Sequence, residues 1–339
     1  AQLPELNEFQ TFDIGMNAHI QLGKKLSFNS FSYFIDEDFS GISRQFTFRG
    51  DFNSAKTRGF TINNLNYASE LGYFNLNFGL NKESQSFDFG NTNSLQKTDQ
   101  LFLSLNHKTK IGAAIVHQTT VSWDYSASDF NDEIPQFFFA NAPNSPSLIS
   151  TFDDSNSILE LGSYTSWDAT TKLLVSGGLR TNLPIEDQSN YVSYQLGLRY
   201  TLDNKNTLLL SGGKYHNYST PSFFIQDYNL LNSQQLALDY TFTTEKMGIS
   251  AAVYAKNEKG LQSVNQFLFS NNLKTFGAEF YVQRQESDWL KLSVAYSYLQ
   301  QTTEVDGTTF PGLRDYDYFI KSSLELTPRK WPVISLNWI

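Results

Sequence analysis

One segment of the chain alternates between apolar and polar residues without a break. From Val192 to Leu202 the even-numbered residues are Val, Tyr, Leu, Leu, Tyr and Leu, and the odd-numbered ones are Ser, Gln, Gly, Arg and Thr. Strict alternation predicts a β-strand with one apolar and one polar face. Asp203–Asn206 predicts a tight turn, after which a second strand leads into an aromatic loop at Tyr215–Pro221. The segment therefore predicts a long hairpin followed by a large loop.

The same unit recurs along the chain, which predicts about seventeen strands and no helix. The strands are expected near 12–22, 26–36, 43–52, 59–69, 71–81, 101–105, 110–125, 157–167, 171–182, 190–202, 206–217, 232–243, 246–257, 266–284, 289–300, 314–326 and 331–339. Leu26 and Phe28 differ in parity from Phe31 and Tyr33, which predicts a bulge near Ser30. Short connections, such as those expected at 70–72, 106–109 and 203–206, alternate with longer ones. The longer ones are expected at 82–96, 126–156, 183–189, 217–231, 258–265 and 301–313, all at one end of the sheet.

The composition and the absence of known motifs argue against several classes of function. The 339 residues carry a net charge of −9, which argues against a nucleic-acid partner. Cysteine is absent, the four histidines are scattered, and no catalytic, phosphate-binding or metal-binding motif is present. We therefore expect a protein that is not an enzyme, with no catalytic residue, no metal site and no cofactor. The sequence contains no run of 18 consecutive apolar residues, so it predicts no transmembrane helix.

Strand length and aromatic placement indicate which solvent the apolar face meets. Alternation alone would also suit a soluble β-sandwich. The expected strands run about 10–13 residues, whereas soluble strands average about 5–6 and tilted membrane strands need about 9–11. Aromatic residues stand at the ends of apolar runs, where interfacial girdles occur: Trp167, Tyr200, Tyr240, Trp289, Trp331 and Trp338. We therefore predict an all-β protein, a transmembrane antiparallel up-and-down β-barrel that forms a single domain over residues 1–339.

Two blocks of sequence resemble TonB-dependent outer-membrane receptors. The first contains Gly177–Arg180, Tyr194–Tyr200, the turn at Asp203–Asn206, Ser211–Tyr215 and Thr220–Phe223. The second contains Leu236–Phe242, Gly248–Lys256, Asn271–Phe280 and Leu290–Tyr298, so the resemblance covers roughly residues 155–339. It implies a barrel of 22 strands with a plug domain and a TonB box before it, of which neither is visible here. We therefore expect an incomplete barrel of about seventeen strands without a plug domain.

The resemblance implies import of a bulky nutrient, such as a siderophore, cobalamin, glycan or peptide, through a plugged lumen in the bacterial outer membrane. The implied partners are outer-membrane lipid, a plug domain of the same or another chain, the TonB complex, and a surface lipoprotein or other envelope proteins. Arg199, Glu279 and Lys291 are expected to line the lumen, because the opposite face of their strands is apolar. Two alternatives remain open: a receptor-like barrel that is a structural subunit of an envelope complex, and a passive porin.

Two aromatic loops are the candidate contact sites for a ligand or partner. The first is the expected loop at 126–156, which carries Phe137, Phe138 and Phe139 between two prolines. Loops of this length are usually functional or disordered, and three exposed phenylalanines would form an unusual apolar patch. The alternative is that the rings pack against the barrel rim or a neighbouring loop. The second loop, at the same end, contributes Tyr215, His216, Tyr218, Phe223 and Phe224.

Overall fold

The computed structural model describes residues 5–46, 48–185, 188–263, 269–305, 307–312, 315–327 and 333–338. These residues form one sheet of 17 strands and contain no helix. The strands are β1 (Glu5–Gly23), β2 (Leu26–Gln45), β3 (Phe48–Ser69), β4 (Gly72–Phe89), β5 (Thr92–Ile111), β6 (Ile115–Pro135), β7 (Ser147–Asp168), β8 (Leu173–Leu183), β9 (Val192–Thr201), β10 (Asn206–Tyr218), β11 (Leu230–Thr243), β12 (Met247–Ser263), β13 (Phe269–Ser287), β14 (Leu290–Val305), β15 (Thr308–Pro311), β16 (Tyr316–Leu326) and β17 (Ile334–Trp338). Within the described part of the chain, no helix has the length and apolarity needed to cross a membrane.

Each strand pairs antiparallel with the next one along the chain, except that β14 pairs with both the short β15 and β16. The prediction of an up-and-down antiparallel architecture is therefore confirmed. Among the described residues, no register joins β1 to β17, so the two strands are the edges of the described sheet. The turns at 24–25, 70–71 and 112–114 and the later ones of the same parity lie at one end of the sheet, the turn end. The turn at Gly90–Asn91 and the longer connections at 136–146 and 219–229 lie at the other, the tip end.

The N-terminal third differs from the prediction in its strand boundaries. Two strands, β2 and β3, replace the three expected between residues 26 and 69, and no register shift occurs near Ser30. The change of parity that suggested a bulge has another cause. Phe28 lies on the same face as Ile20, whereas Phe31 and Tyr33 lie on the opposite face, opposite Asn17 and Gly15. Aromatic residues therefore occupy both faces of one regular strand.

Two of the expected long loops are strands. The segment 82–96 belongs to β4 and β5, which meet in a turn at Gly90–Asn91. The segment 126–156 is mostly paired between β6 and β7, and only residues 136–146 connect them. The turn expected at 106–109 lies a few residues later, between Ile111 and Ile115. The predicted loop at 258–265 likewise overlaps β12, which runs to Ser263. Strands β1 to β7 are 18–22 residues long, about twice the roughly 9–11 residues that a tilted strand needs to cross a bilayer.

The registers divide the side chains between two faces. Directly paired residues share a face, and the row Ile20, Phe28, Leu65, Leu76, Leu105, Val121, Leu161 and Val192 lies on the outward one. Arg199 pairs through Leu209, Asp239 and Ala252 with Glu279, and Lys291 has the same parity as Ser297, which pairs with Glu279. These three charged residues share the face of the buried Ser193. They therefore lie on the inward face, as predicted.

The outward face is apolar and exposed. Leu196 is 66% exposed and Leu198 42%, although both lie in the middle of a strand within a well-paired sheet. A surface of this kind is unfavourable in water and suits a hydrocarbon environment. Trp167, Tyr200 and Trp289 are exposed near the turn end of the sheet, and Trp338 is exposed on β17. Trp331, the remaining tryptophan of the expected girdle, lies outside the described residues.

Candidate functional site

A polar cavity of about 680 Å³ lies on the inward face of the sheet, below the tip end. Strands β4 to β8 supply its wall, and the connection between β10 and β11 covers it. Its lining includes Asn77, Gln100, Phe102, Ser104, Asn106, Thr120, Ser122, Asp124, Ser126, Asn156, Ile158, Glu160, Arg180, Tyr191, Asn217, Tyr218, Ser219, Thr220 and Tyr228. Most of the lining side chains carry amides, hydroxyls or carboxylates. The cavity therefore suits a polar occupant that forms hydrogen bonds, not an apolar one.

Asparagine side chains form a continuous hydrogen-bonded ladder on the wall of the cavity. Asn77 Nδ2 donates to Ser104 Oγ at 3.0 Å, and Thr120 Oγ1 donates to Asn106 Oδ1 at 2.7 Å. The ladder continues away from the cavity, where Asn75 Nδ2 donates to Asn66 Oδ1 at 2.8 Å. Cross-strand polar pairs of this kind contribute roughly 0.2–1 kcal/mol each. The ladder thus stabilises the wall while leaving spare donors and acceptors on the inward surface.

A partly buried ionic cluster joins β7, β8 and β10 at the side of the cavity. Glu160 is 8% exposed, accepts a hydrogen bond from the Tyr191 hydroxyl, and lies 3.4 Å from Arg180 Nη1. Arg180 Nη2 also donates to the carbonyl oxygen of His216 at 2.8 Å. A carboxylate at this depth requires such partners because an unpaired buried charge is costly. The cluster fixes the positions of three separate chain segments.

The connection after β8 is fixed by the same cluster. Asn182 is 2% exposed, and its Oδ1 accepts a hydrogen bond from the Tyr191 backbone N–H at 2.9 Å. Its Nδ2 donates to the Ser189 carbonyl oxygen at 3.0 Å. One buried amide thereby satisfies two backbone groups of the connection that would otherwise lack partners. The ring of Tyr191, held in this way, forms part of the cavity wall.

The 219–229 loop between β10 and β11 folds inward over the cavity. At its base the Ser219 N–H donates to the Asn229 carbonyl oxygen at 2.8 Å, and Ser222 and Ile225 form a bridge at its tip. Three side chains attach the loop to β6 and β7. Ser150 Oγ donates to the Phe223 carbonyl oxygen at 3.0 Å, Gln226 Nε2 donates to Ser150 Oγ, and Tyr228 contacts β6. The loop is therefore an ordered cover over the cavity.

The second group of predicted contact residues is divided between the wall and this cover. Tyr215, His216 and Tyr218 belong to β10, not to a loop, which corrects the expected boundary. Tyr215 lines a smaller inward cavity, and Tyr218 lines the main one. His216 is buried, with its ring stacked on Tyr191 at 5.1 Å and its Nδ1 3.1 Å from Ser193 Oγ, which indicates a structural environment. Phe223 and Phe224 form the turn of the cover, with ring centroids 4.9 Å apart.

The first group lies at the tip of the β6–β7 hairpin. Phe137, Phe138 and Phe139 are 48%, 60% and 54% exposed, so they are not packed under the rim. Phe137 stacks on Phe139 at 5.8 Å, and Phe138 meets Phe46 edge-on at 5.2 Å. We call these four residues the phenylalanine tip cluster. Phe46, at the tip of the β2–β3 hairpin, has a φ of 52°, which is uncommon for a bulky residue and often marks a functional constraint.

Backbone contacts join the three hairpin tips into one unit. The Asn91 N–H donates to the Asn141 carbonyl oxygen at 3.2 Å, and the Asn91 side chain donates to the Pro146 carbonyl oxygen at 3.3 Å. Asn141 Nδ2 in turn donates to Gln45 Oε1 at 3.4 Å. Gly90 has a φ of 61°, and a Cβ there would overlap the Asn141 carbonyl oxygen, so glycine is required at this contact. The phenylalanine tip cluster therefore stands on a built support.

Several residues of the site were not identified from the sequence. Asp124, Glu160, Arg180 and Asn182 lie in strands whose polar faces look ordinary, and the sheet brings them together across large sequence separations. The asparagine ladder did leave a signal, because Asn75, Asn77 and Asn81 alternate with apolar residues. In the described part of the chain, no three histidine or acidic side chains are grouped closely enough to hold a metal ion.

Comparisons with known proteins give matches by structure but not by sequence. No family model matches the chain, and no curated protein matches it at a significant level. The ferric yersiniabactin uptake receptor FyuA from Yersinia pestis has a similar structure, with a TM-score of 0.75 at 14% identity over 98% of this chain and 59% of FyuA. The copper transporter OprC has a TM-score of 0.74 at 10% sequence identity, and the match covers 97% of this chain and 58% of OprC. The ferric citrate transporter FecA gives 0.71 at 12% identity, with coverages of 97% and 57%.

These solved structures are TonB-dependent outer-membrane receptors. The chain spans less than two thirds of each of them, and the likeness extends over nearly the whole of its own length. The identities are low, so the comparison concerns the fold. The strand order, the antiparallel pairing and the inward polar face described above agree with it. The chain thus has the barrel fold of the TonB-dependent outer-membrane receptors.

Proposed function

We propose that this chain is the outer-membrane barrel of a receptor that imports a bulky nutrient through its lumen. The observation that carries the proposal is a polar inward cavity, covered by an ordered loop, in a sheet with the fold of TonB-dependent receptors. A passive pore would not need a cover attached by side chains from three positions. In this proposal the chain supplies the barrel wall and the outer hairpins.

The inward face is suited to contact with a plug domain and with a polar ligand. Asn77, Asn106 and Gln100 present amides to the cavity, and Arg180 and Asp124 add charge of both signs. Amides and hydroxyls on this wall can replace one hydrogen-bond partner by another with little change in free energy, because the net contribution of each hydrogen bond is only about 0.5–1.5 kcal/mol. A plug domain, of this or another chain, could therefore dock against this wall and still be moved by TonB.

The phenylalanine tip cluster is the proposed first contact for the ligand. Its rings project from joined hairpins at the tip end, beyond the apolar band. Exposed aromatic rings on a rigid support bind partners with little loss of side-chain entropy. Phe223 and Phe224, at the turn of the cover, would be the next aromatic contact on the way to the cavity.

The proposed ligand class comes from the ligands of the structurally similar proteins. FyuA takes up ferric yersiniabactin, PirA is a siderophore receptor, and RagAB is a peptide importer with a TM-score of 0.62 to this chain. For this chain we propose a bulky siderophore, cobalamin, glycan or peptide. A surface lipoprotein that contacts the outer hairpins would be an additional partner.

The proposal can be tested by uptake into cells that express the full-length protein. A panel of labelled siderophores, cobalamin, oligosaccharides and peptides is supplied with and without a proton-motive-force uncoupler. We expect at least one compound to accumulate, and accumulation to stop when the gradient is collapsed. Uptake that continues without the gradient would favour a passive porin. No uptake, together with constant copurifying proteins, would favour a structural subunit.

Serine substitution of Phe137, Phe138 and Phe139 tests the contribution of the tips in the same assay. We expect the concentration for half-maximal uptake to rise about tenfold or more, because hot-spot aromatic residues contribute at least about 2 kcal/mol. The matched control is the triple substitution of Phe31, Phe60 and Ile62 to leucine, on the inward face but outside the cavity lining and away from the tips. An equal effect of both triple variants would contradict the role of the tips.

A further inference from the structure

A wide cavity lies on the outward, lipid-facing side of the sheet. It is an apolar groove of about 890 Å³ across β9 to β14. Its walls are large side chains of one outward row, Leu196, Leu236 and Phe276, with Gly212 and Ala255 between them. This alternation of large and small residues leaves a depression between the bulky side chains. A Cβ at Gly212 would already lie 3.1 Å from Leu236 Cδ1.

A polar row borders the groove on the side of the hairpin tips. The registers place Lys214, Gln234, Asn257 and Lys274 side by side on β10 to β13, one row above Gly212 and Ala255. Lys214 and Lys274 are three strands apart, about 14 Å at ordinary strand spacing, which two lysine side chains and one headgroup can span. The groove therefore has apolar walls and a cationic border, as an acyl chain and its phosphorylated headgroup require.

The two border lysines differ in their partners from Lys82 and Lys97, which also face outward. Lys82 lies 3.7 Å from Asp99, and Lys97 lies 3.4 Å from Asp129, so those charges are balanced within the sheet. Within the described ranges no carboxylate lies within ion-pair distance of Lys214 or Lys274. The next row towards the tips carries Lys259 and Glu304, and Glu304 accepts a hydrogen bond from Asn272 at 3.3 Å. The border thus keeps an excess of positive charge.

We infer that this groove is a specific binding site for a membrane lipid with a phosphorylated headgroup, in the leaflet on the tip side. Lys214 and Lys274 contact the phosphate, Gln234 and Asn257 donate hydrogen bonds to the headgroup, and one acyl chain lies between Leu236 and Phe276. Lysine binds phosphate as a point charge, and basic pockets at the edge of a membrane-spanning surface bind anionic headgroups. The site belongs to the barrel wall and does not depend on the imported nutrient.

Native mass spectrometry of the full-length protein in detergent tests the site. The probes are dipalmitoyl phosphatidylglycerol, the zwitterionic dipalmitoyl phosphatidylcholine, and inorganic phosphate. We expect one phosphatidylglycerol to bind at least tenfold more tightly than phosphatidylcholine. Lys214→Ala with Lys274→Ala should remove this preference, and Ala255→Phe should weaken binding of both lipids by filling the groove.

The matched control is Lys82→Ala with Lys97→Ala, which removes the same charge from the same face. It should leave the preference for phosphatidylglycerol unchanged, and all variants should keep the heat-dependent gel mobility of a folded barrel. Equal retention of phosphatidylglycerol by the Lys214/Lys274 variant and the wild type would overturn the inference. Displacement of the bound lipid by millimolar inorganic phosphate would also overturn it, because a soluble anion would then be the ligand.

Discussion

The hydroxyl of Tyr228 donates a hydrogen bond to the carbonyl oxygen of Ser126, 3.0 Å away, although 102 positions separate the two residues. The same hydroxyl lies 3.2 Å from Ser128 Oγ, and the Tyr228 ring packs near Phe152 at 6.1 Å. Tyr228 belongs to the 219–229 loop, whereas Ser126 lies on β6, four strands from β10. This contact therefore holds the cover across the cavity.

Tyr228→Phe should loosen the cover without unfolding the barrel. A net hydrogen bond is worth about 1 kcal/mol, so we expect backbone amides of residues 219–229 to exchange about fivefold faster. Hydrogen–deuterium exchange with mass spectrometry measures this. The control is Tyr240→Phe, which removes a hydroxyl bound to Asn206 Oδ1 at the turn end. Unchanged exchange in the Tyr228 variant would mean that other contacts hold the cover.

Arg180→Ala should destabilise the barrel because it leaves the carboxylate of Glu160 with fewer partners. Arg180 is 44% exposed, so its effect is smaller than that of a fully buried ion pair, and we expect a loss of about 1–3 kcal/mol. Combining it with Glu160→Gln should recover part of the loss, since the two residues are coupled. Urea unfolding in lipid vesicles gives the free energies.

Arg199→Ala is the control for the ionic cluster. Arg199 shares the inward face but has no ion-pair partner among the described residues. We expect its removal to change the unfolding free energy by less than about 0.5 kcal/mol. Equal losses for the two arginine variants would show that the cluster around Glu160 adds nothing specific to stability.

Phe46→Gly and Phe46→Ala separate the two roles of Phe46. Both remove the ring contact with Phe138, but only glycine adopts a φ of 52° without strain. We therefore expect the glycine variant to be more stable than the alanine variant by about 1 kcal/mol. Limited proteolysis at residues 136–146 should accordingly be faster in Phe46→Ala. Equal rates would mean that the φ of Phe46 stores no strain.

The sequence predicted the barrel where the strands cross lipid and failed where they extend beyond it. Between Val192 and Leu202 the outward residues meet hydrocarbon, so polar residues are excluded and alternation is complete. In the upper parts of β4 to β7 both faces meet water, and outward positions such as Ser84 and Lys97 are polar. Alternation disappears there although pairing continues, which is why 82–96 and 126–156 resembled loops.

The site was less predictable because it depends on contacts between distant strands. Glu160 and Tyr191 are 31 positions apart, and nothing local in either segment indicates that they meet. The tip phenylalanines were recognisable because three consecutive aromatic residues between prolines are unusual in a polar segment. Their contact with Phe46 depends on the relative positions of the β2–β3 and β6–β7 hairpins, which sequence periodicity does not supply.

Two lysine substitutions in β9 test which face meets lipid, through their effects on the free energy of unfolding. Leu198→Lys places a charge on the outward face near the middle of β9, where a charge costs about 2–4 kcal/mol. Gln195→Lys places the same charge on the inward polar face and should cost less than about 1 kcal/mol. Urea unfolding in vesicles compares the two. A larger cost for the inward variant would reverse the assignment of the faces.

The most direct test of the account is spin-label accessibility along β9. The chain has no cysteine, so single cysteines at positions 192–201 can be labelled without background. In lipid vesicles, oxygen accessibility should peak at the even positions, including Leu196 and Leu198. Accessibility to a water-soluble nickel chelate should instead peak at the odd positions, including Gln195 and Arg199. If the even positions are the ones exposed to the nickel chelate, or no alternation is found, β9 does not separate lipid from a polar lumen.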